Sequence, residues 1–196
     1  SGTHAVQTAK IMTAFEEICL SDRPDMVMVV GDVNSTLACS ITAKKLGIEV
    51  AHVEAGLRSF DLTMPEEINR MVTDAITDHF FTTERVAGEN LLREGKPAHS
   101  IHFVGHVMID NLMFQTRQLE QIDPAVFPTS ELKSRLGSYI FLTLHRPAVV
   151  DNPDKLADIF QALNGIAVHI PIVFPVHPRS QKILNTLNMS LSKSIY

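Results

Sequence analysis

Cysteine is scarce: the 196-residue chain holds only Cys19 and Cys39, with neither metal-ligand nor redox spacing. That fits two buried thiols in a reducing compartment. Long apolar runs are missing too, and none approaches the roughly 20 residues that span a bilayer. The opening Ser1-Gly-Thr-His4 is followed by apolar positions at helical spacing, which does not resemble a secretory leader. A basic block is also absent. With a net charge of −5, this argues against a nucleic-acid surface and leaves room only for a local phosphate pocket. The expectation is a soluble cytoplasmic protein, with neither membrane nor nucleic acid as partner. What is there is a hydrophobic content of 45%, enough to bury a sizeable core.

The chain repeats a strand–turn–helix pattern. Residues 4–20 carry Ala5, Ala9, Ile11, Met12, Phe15 and Ile18 at helical spacing. Asp25 to Val30 is a continuous apolar run ending at Gly31-Asp32, the pattern of a strand buried on both faces. Ser35 or Thr36 is placed to cap the next helix, which runs to Lys45 and is closed by Gly47. Ile48 to Val53 reads as a strand, and Pro65 begins a helix with Glu66 and Glu67 in its first turn. Strand 79–82, helix 84–93, strand 100–104 and helix 107–119 follow. Such alternation predicts an α/β fold built on a doubly wound parallel sheet.

Residues 120–137 break this rhythm with Pro124 and Pro128 and read as a linker between a domain at 1–119 and another at 138–196. The second begins with strand Tyr139 to Leu144, helix 152–164, strand Ile170 to Val176 and a short helix to about Leu187. Two strands and two helices cannot cover both faces of a parallel sheet, so this domain is expected to be incomplete. The first domain opens on a helix where a doubly wound fold opens on a strand. Both features predict that the chain is an internal piece of a longer protein.

Chemistry concentrates between His52 and Arg70. This stretch holds Glu54, Asp61, Glu66 and Glu67, two arginines (Arg58 and Arg70) and a histidine, close behind a strand end. Ligands of open parallel sheets bind beyond such ends, and carboxylates gathered there need partners or a task. Gly31 to Thr36 joins a strand end to a helix start, which suits a phosphate or sugar hydroxyl. Asp32 and Asn34 also fit plain turn and cap roles. Asp32 and Glu54 at adjacent strand ends would share one ligand. Consecutive helix positions point about 100° apart, so only one of Glu66 and Glu67 should face that crevice. Arg70 lies four residues beyond Glu66, the spacing of an ordinary surface pair. In the second domain, Leu144-His-Arg-Pro147 and His177-Pro-Arg179 end successive strands. His145 suits proton transfer and Arg146 a diphosphate, while His177 fits equally a packed loop histidine. A metal site of His52, Asp32 and Glu54 lacks the tight spacing of known ligand motifs.

Taken in order, Gly31-Asp-Val-Asn-Ser-Thr36, His52-Val-Glu-Ala-Gly-Leu-Arg-Ser59, Pro65-Glu-Glu-Ile-Asn-Arg70, Leu144-His-Arg-Pro147 and Pro175-Val-His-Pro-Arg179 resemble the non-hydrolysing UDP-N-acetylglucosamine 2-epimerases. The resemblance implies two Rossmann-like domains of GT-B type, with the active site in the cleft between them. It implies interconversion of UDP-N-acetylglucosamine and UDP-N-acetylmannosamine without cofactor or metal, through anti elimination of UDP to a 2-acetamidoglucal and re-addition. Asp32, Glu54, Glu66 and His145 match catalytic positions of the family, and Arg70 and Arg146 substrate-binding ones. Arg146 and His177 match positions that bind a second, activating substrate molecule in bacterial relatives. A homodimer through the first domain is implied as well. Gly105-His106 and Val149 depart from the family pattern, which usually has Gly-Asn and often Asn there. A hydrolysing relative, a GT-B glycosyltransferase and a non-catalytic nucleotide-sugar-binding module are the competing readings.

Overall fold

The computed structural model describes residues 2–144, 146–185 and 190–196. The chain divides into two compact units, Ser1–Leu119 and Glu120–Tyr196. In the first unit the elements run α1 (His4–Ser21), β1 (Met26–Val30), α2 (Asn34–Lys45), β2 (Glu49–Val53), α3 (Pro65–Ile76), β3 (His79–Thr82), α4 (Arg85–Arg93), β4 (Ile101–Phe103) and α5 (Val107–Leu119). The four strands form one parallel sheet in the order β1-β2-β3-β4, with Val30 opposite Val53 and Val53 opposite Phe81. This register brings the ends of β1, β2 and β3 level along one edge of the sheet. Helix α2 packs against β1, β2 and α3, α3 also against β2, and α4 against β3 and β4.

That arrangement corrects the expectation for β1. Val27 and Val29 are buried against Cys19, Ala43, Ile48 and Val50, but Met26, Met28 and Val30 are exposed. The strand is the edge of the sheet, and among the described residues no helix covers its other face. The start of α2 differs too. Val33 is its N-cap and makes no side-chain cap bond, while the Thr36 hydroxyl donates back to the Val30 carbonyl at 2.8 Å. Thr36 therefore ties helix to strand instead of capping. Gly47, in the left-handed region at φ 70°, ends the helix as the sequence indicates. Strand β4 starts one residue later than expected because Ala98–Ser100 forms a 3₁₀ turn ahead of it, and past its end Val104 keeps a single bond, from its N–H to the Thr82 carbonyl.

In the second unit, α6 (Ser130–Leu136) precedes β5 (Ile140–Phe141), α7 (Pro147–Val150), α8 (Pro153–Ile166), β6 (Ile172–Val173) and α9 (Pro178–Leu184). The expected linker thus contains a helix and a 3₁₀ turn at Pro124–Val126, because Asp123 accepts from the Ala125 N–H and nucleates local structure. Strands β5 and β6 pair in parallel, Ile140 opposite Ile172. They are shorter than the apolar runs around them, which continue as single ladder bonds such as Leu142 N–H to the Val173 carbonyl. The C-terminal residues add to the outer side of β6, with the Tyr196 N–H donating to the Ile172 carbonyl. Leu156, Phe160 and Phe174 form this unit's core. The expected end of the last helix near Leu187 lies outside the described residues.

Candidate active site

At the carboxyl ends of β1 and β2 the chain makes two left-handed turns. Gly31 has φ 71° and Glu54 has φ 74°. A non-glycine residue there costs on the order of 1 kcal/mol or more, and such strain gathers at functional positions. The two turns are in contact: the Gly31 N–H donates to the Val53 carbonyl at 3.0 Å. A Cβ at residue 31 would come within 3.3 Å of the Glu54 carboxylate. Gly31 is therefore needed both for its backbone angle and for the space that Glu54 occupies.

Asp32 follows directly. Its carboxylate is ion-paired to Arg70 of α3 at 2.6 Å, and its backbone carbonyl accepts from the Asn69 side chain at 2.7 Å. Asp32, Asn34, Glu66 and Asn69 line one open cleft of about 280 Å³, together with His4 and Gln7 of α1. Glu66 is exposed to this cleft, whereas Glu67 is 1% exposed and turned inward. The first turn of α3 thus separates the two carboxylates as the 100° step requires. The expected pairing of Arg70 with Glu66 is replaced by bonds to Glu67 at 2.7 and 3.0 Å, three residues away. Arg70 is drawn inward because Asp32 and Glu67 both face it, whereas Glu66 faces the open cleft.

Glu67 anchors the loop between β2 and α3. Its oxygens accept from the backbone N–H groups of Ser59 and Phe60, each at 3.0 Å, as well as from Arg70. Burial alone would raise this carboxyl, but the Ser59 N–H, the Arg70 guanidinium and the Phe60 N–H bring it down to about 2. Behind it, Asp74 and His52 are wholly buried and bonded to each other at 2.7 Å. Arg58 pairs with Asp74 and Glu94, each at 2.7 Å. Burial works against the Arg58 charge, yet Glu94 and Asp74 raise its pKa.

Helical spacing left open which of Glu66 and Glu67 faces the crevice, and neither the anchoring role of Glu67 nor any role for Asp74 was expected from the sequence. The available signal was the polar spacing of Glu67, Arg70 and Asp74 on one side of α3, with Ile68, Met71 and Val72 on the other. His52 has both ring nitrogens engaged, by Asp74 and by the Gly31 carbonyl. Among the described residues, no three His, Cys, Asp or Glu side chains are grouped to hold a metal ion.

In the second unit, Arg146 follows the end of β5 and its carbonyl starts α7, accepting from the Val149 and Val150 N–H groups. His177 follows β6 and its carbonyl accepts from the Gln181 N–H in α9. The buried Ser180 donates to the Leu144 carbonyl at 2.9 Å, fixing α9 against the end of the β5 segment. Arg146 and His177 therefore lie at the same end of the second sheet. His145 lies outside the described residues.

Two α/β units with parallel sheets, carrying charged side chains at their strand ends, define a GT-B type protein. Residues 1–195 match the family model described as UDP-N-acetylglucosamine 2-epimerase, and the chain belongs to that family. It is 41% identical over 194 residues to the UDP-N-acetylglucosamine 2-epimerase of Methanocaldococcus jannaschii, covering 96% of this chain and 52% of that protein. It is also 41% identical over 197 residues to the UDP-2,3-diacetamido-2,3-dideoxy-D-glucuronate 2-epimerase of Pseudomonas aeruginosa, covering 99% of this chain and 53% of that protein. The crystal structure of the M. jannaschii enzyme in complex with UDP-GlcNAc and UDP superimposes with a TM-score of 0.81 at 39% identity, over 100% of this chain and 55% of that one. The chain spans about half the length of the curated relatives it matches. Among the described residues no helix is long and apolar enough to cross a membrane.

Proposed function

We propose that this chain carries catalytic carboxylates of an enzyme that interconverts UDP-N-acetylglucosamine and UDP-N-acetylmannosamine. The observation that carries the reading is the carboxylate arrangement of the first unit. Asp32 and Glu66 line one cleft, Arg70 pairs with Asp32, and Glu54 stands at the neighbouring strand end. In the proposed reaction a base takes the C2 proton while the C1–O bond to UDP breaks, leaving 2-acetamidoglucal. UDP then re-adds and a proton returns to the opposite face of C2. Such a sequence needs a base, an acid and a held leaving group. Asp32, Glu54 and Glu66 are the proton-handling candidates in the first unit, with His145 as the fourth catalytic position. Arg70 and Arg146 are read as substrate-binding, and Arg146 and His177 as contributors to an activating substrate site. No cofactor or metal has a part in this scheme.

We read the first unit as an N-terminal Rossmann-like domain and the second as part of a C-terminal one, in a cytoplasmic homodimer. The outward apolar face of α3, with Ile68, Met71 and Val72 exposed, supports self-association. The similarity to an enzyme named for a diacetamido uronate sugar makes that nucleotide the comparison substrate. The test is proton NMR of the complete gene product in heavy water with each UDP-sugar. Loss of the C2 proton signal with growth of the 2-epimer supports the proposal. Release of UDP with free N-acetylmannosamine indicates a hydrolysing enzyme, and retention of the C2 proton with both sugars refutes the reaction.

A further inference from the structure

The turns that carry Asp32 and Glu54 are joined by a buried chain of hydrogen bonds to which neither carboxylate belongs. Asp74 Oδ2 accepts from the Gly56 N–H at 3.0 Å, and Asp74 Oδ1 is 2.7 Å from His52 Nδ1. His52 Nε2 is 2.9 Å from the Gly31 carbonyl oxygen. The Gly31 carbonyl only accepts, and Asp74 accepts from Gly56 and pairs with Arg58, so each ring nitrogen of His52 faces an acceptor. One ring thus spans from the turn after β2, by way of α3, to the turn after β1. A histidine present only for bulk would not need to bond two separate elements.

Both spanned turns lack an intrinsic preference for their conformation. Gly31 is free to leave φ 71°, and Glu54 at φ 74° is strained. Neither carboxylate would hold its place without an outside restraint. We propose that His52 is a positioning residue: its two ring hydrogen bonds fix the Gly31–Asp32 turn against the Glu54 turn, and so set the spacing of the carboxylates that act on the sugar. The inference rests on the 2-epimerase reading. Displacement of a catalytic group by about 1 Å can lower turnover on the order of 100-fold.

Two substitutions separate the bonds. In His52→Gln the amide nitrogen occupies the Nε2 position and keeps the donor to Gly31 while losing Asp74. In His52→Asn the amide nitrogen takes the Nδ1 position and keeps Asp74 while losing Gly31. Each variant of the complete protein loses one hydrogen bond, so their melting temperatures should fall alike. The expected result is a kcat roughly 100-fold lower in His52→Asn with KM nearly unchanged, and a loss within about 10-fold in His52→Gln. Wild-type kcat in a folded His52→Asn variant overturns the inference, as does a kcat that falls in both variants only in step with melting temperature. Should neither variant fold, histidine-selective ¹⁵N NMR of the wild-type protein should show two slowly exchanging ring N–H signals for His52. Absence of either overturns the inference. A wild-type protein that leaves the C2 proton in place instead overturns the reaction reading, and this inference with it.

Discussion

Replacing Glu67 with glutamine tests how the loop before α3 is held. The carboxylate accepts four hydrogen bonds, from the Ser59 and Phe60 N–H groups and twice from Arg70, at 1% exposure. Glutamine offers one acceptor oxygen and turns an amide donor toward groups that are themselves donors. A carboxyl lowered from 4.5 to about 2 stabilises the fold by up to about 3 kcal/mol at neutral pH. Arg70 keeps Asp32 as a partner after the change, which reduces the expected loss to about 2 kcal/mol. The sign follows from linkage. The folded-state pKa is depressed, so the contribution is present in full above about pH 4.5, the unfolded value, and is lost as pH falls toward about 2. The assay is urea unfolding of the complete wild-type protein and the Glu67→Gln variant at pH 7 and pH 3. The difference between them should fall to under half at about pH 3. A difference below about 0.5 kcal/mol at pH 7, or one that persists undiminished at pH 3, would refute the account of Glu67 as an ionised anchor.

Asp32→Asn and Glu54→Gln should each abolish C2 proton exchange on UDP-N-acetylglucosamine while leaving the melting temperature within a few degrees; near-normal exchange in either removes that residue from the mechanism. Gly31→Ala should cost about 1–2 kcal/mol and lower kcat, because it places a methyl group at φ 71° and 3.3 Å from the Glu54 carboxylate; denaturation and steady-state kinetics measure the two effects. Gly56→Ala should be more severe, at least about 3 kcal/mol by denaturation, since its Cβ would fall 2.9 Å from both the Ala87 carbonyl carbon and a Leu91 methyl at φ 80°. Ile68→Glu on the outer face of α3 should shift sedimentation velocity from dimer to monomer, and an unchanged coefficient would remove that face from the interface.

Local pattern determined much of the first unit. Strand β3 spans 79–82 as its alternation indicates, with Phe80 and Thr82 buried, and α5 spans 107–119 as its helical spacing indicates, although every residue of that helix is exposed. Pro65 starts α3, and Gly47 ends α2, through backbone preferences that need no distant partner. The motif order likewise placed Asp32 and Glu54 at neighbouring strand ends. Contacts between elements decided the rest. Arg70 turns to Asp32 and Glu67, and Met28 stays exposed, because tertiary neighbours set those outcomes and helical or strand spacing does not. His52 and Asp74 are 22 residues apart, and the bond that joins them exists only once β2 and α3 pack together. The residues proposed for the chemistry were therefore named from local motifs, whereas the bonds that hold their turns come from long-range packing.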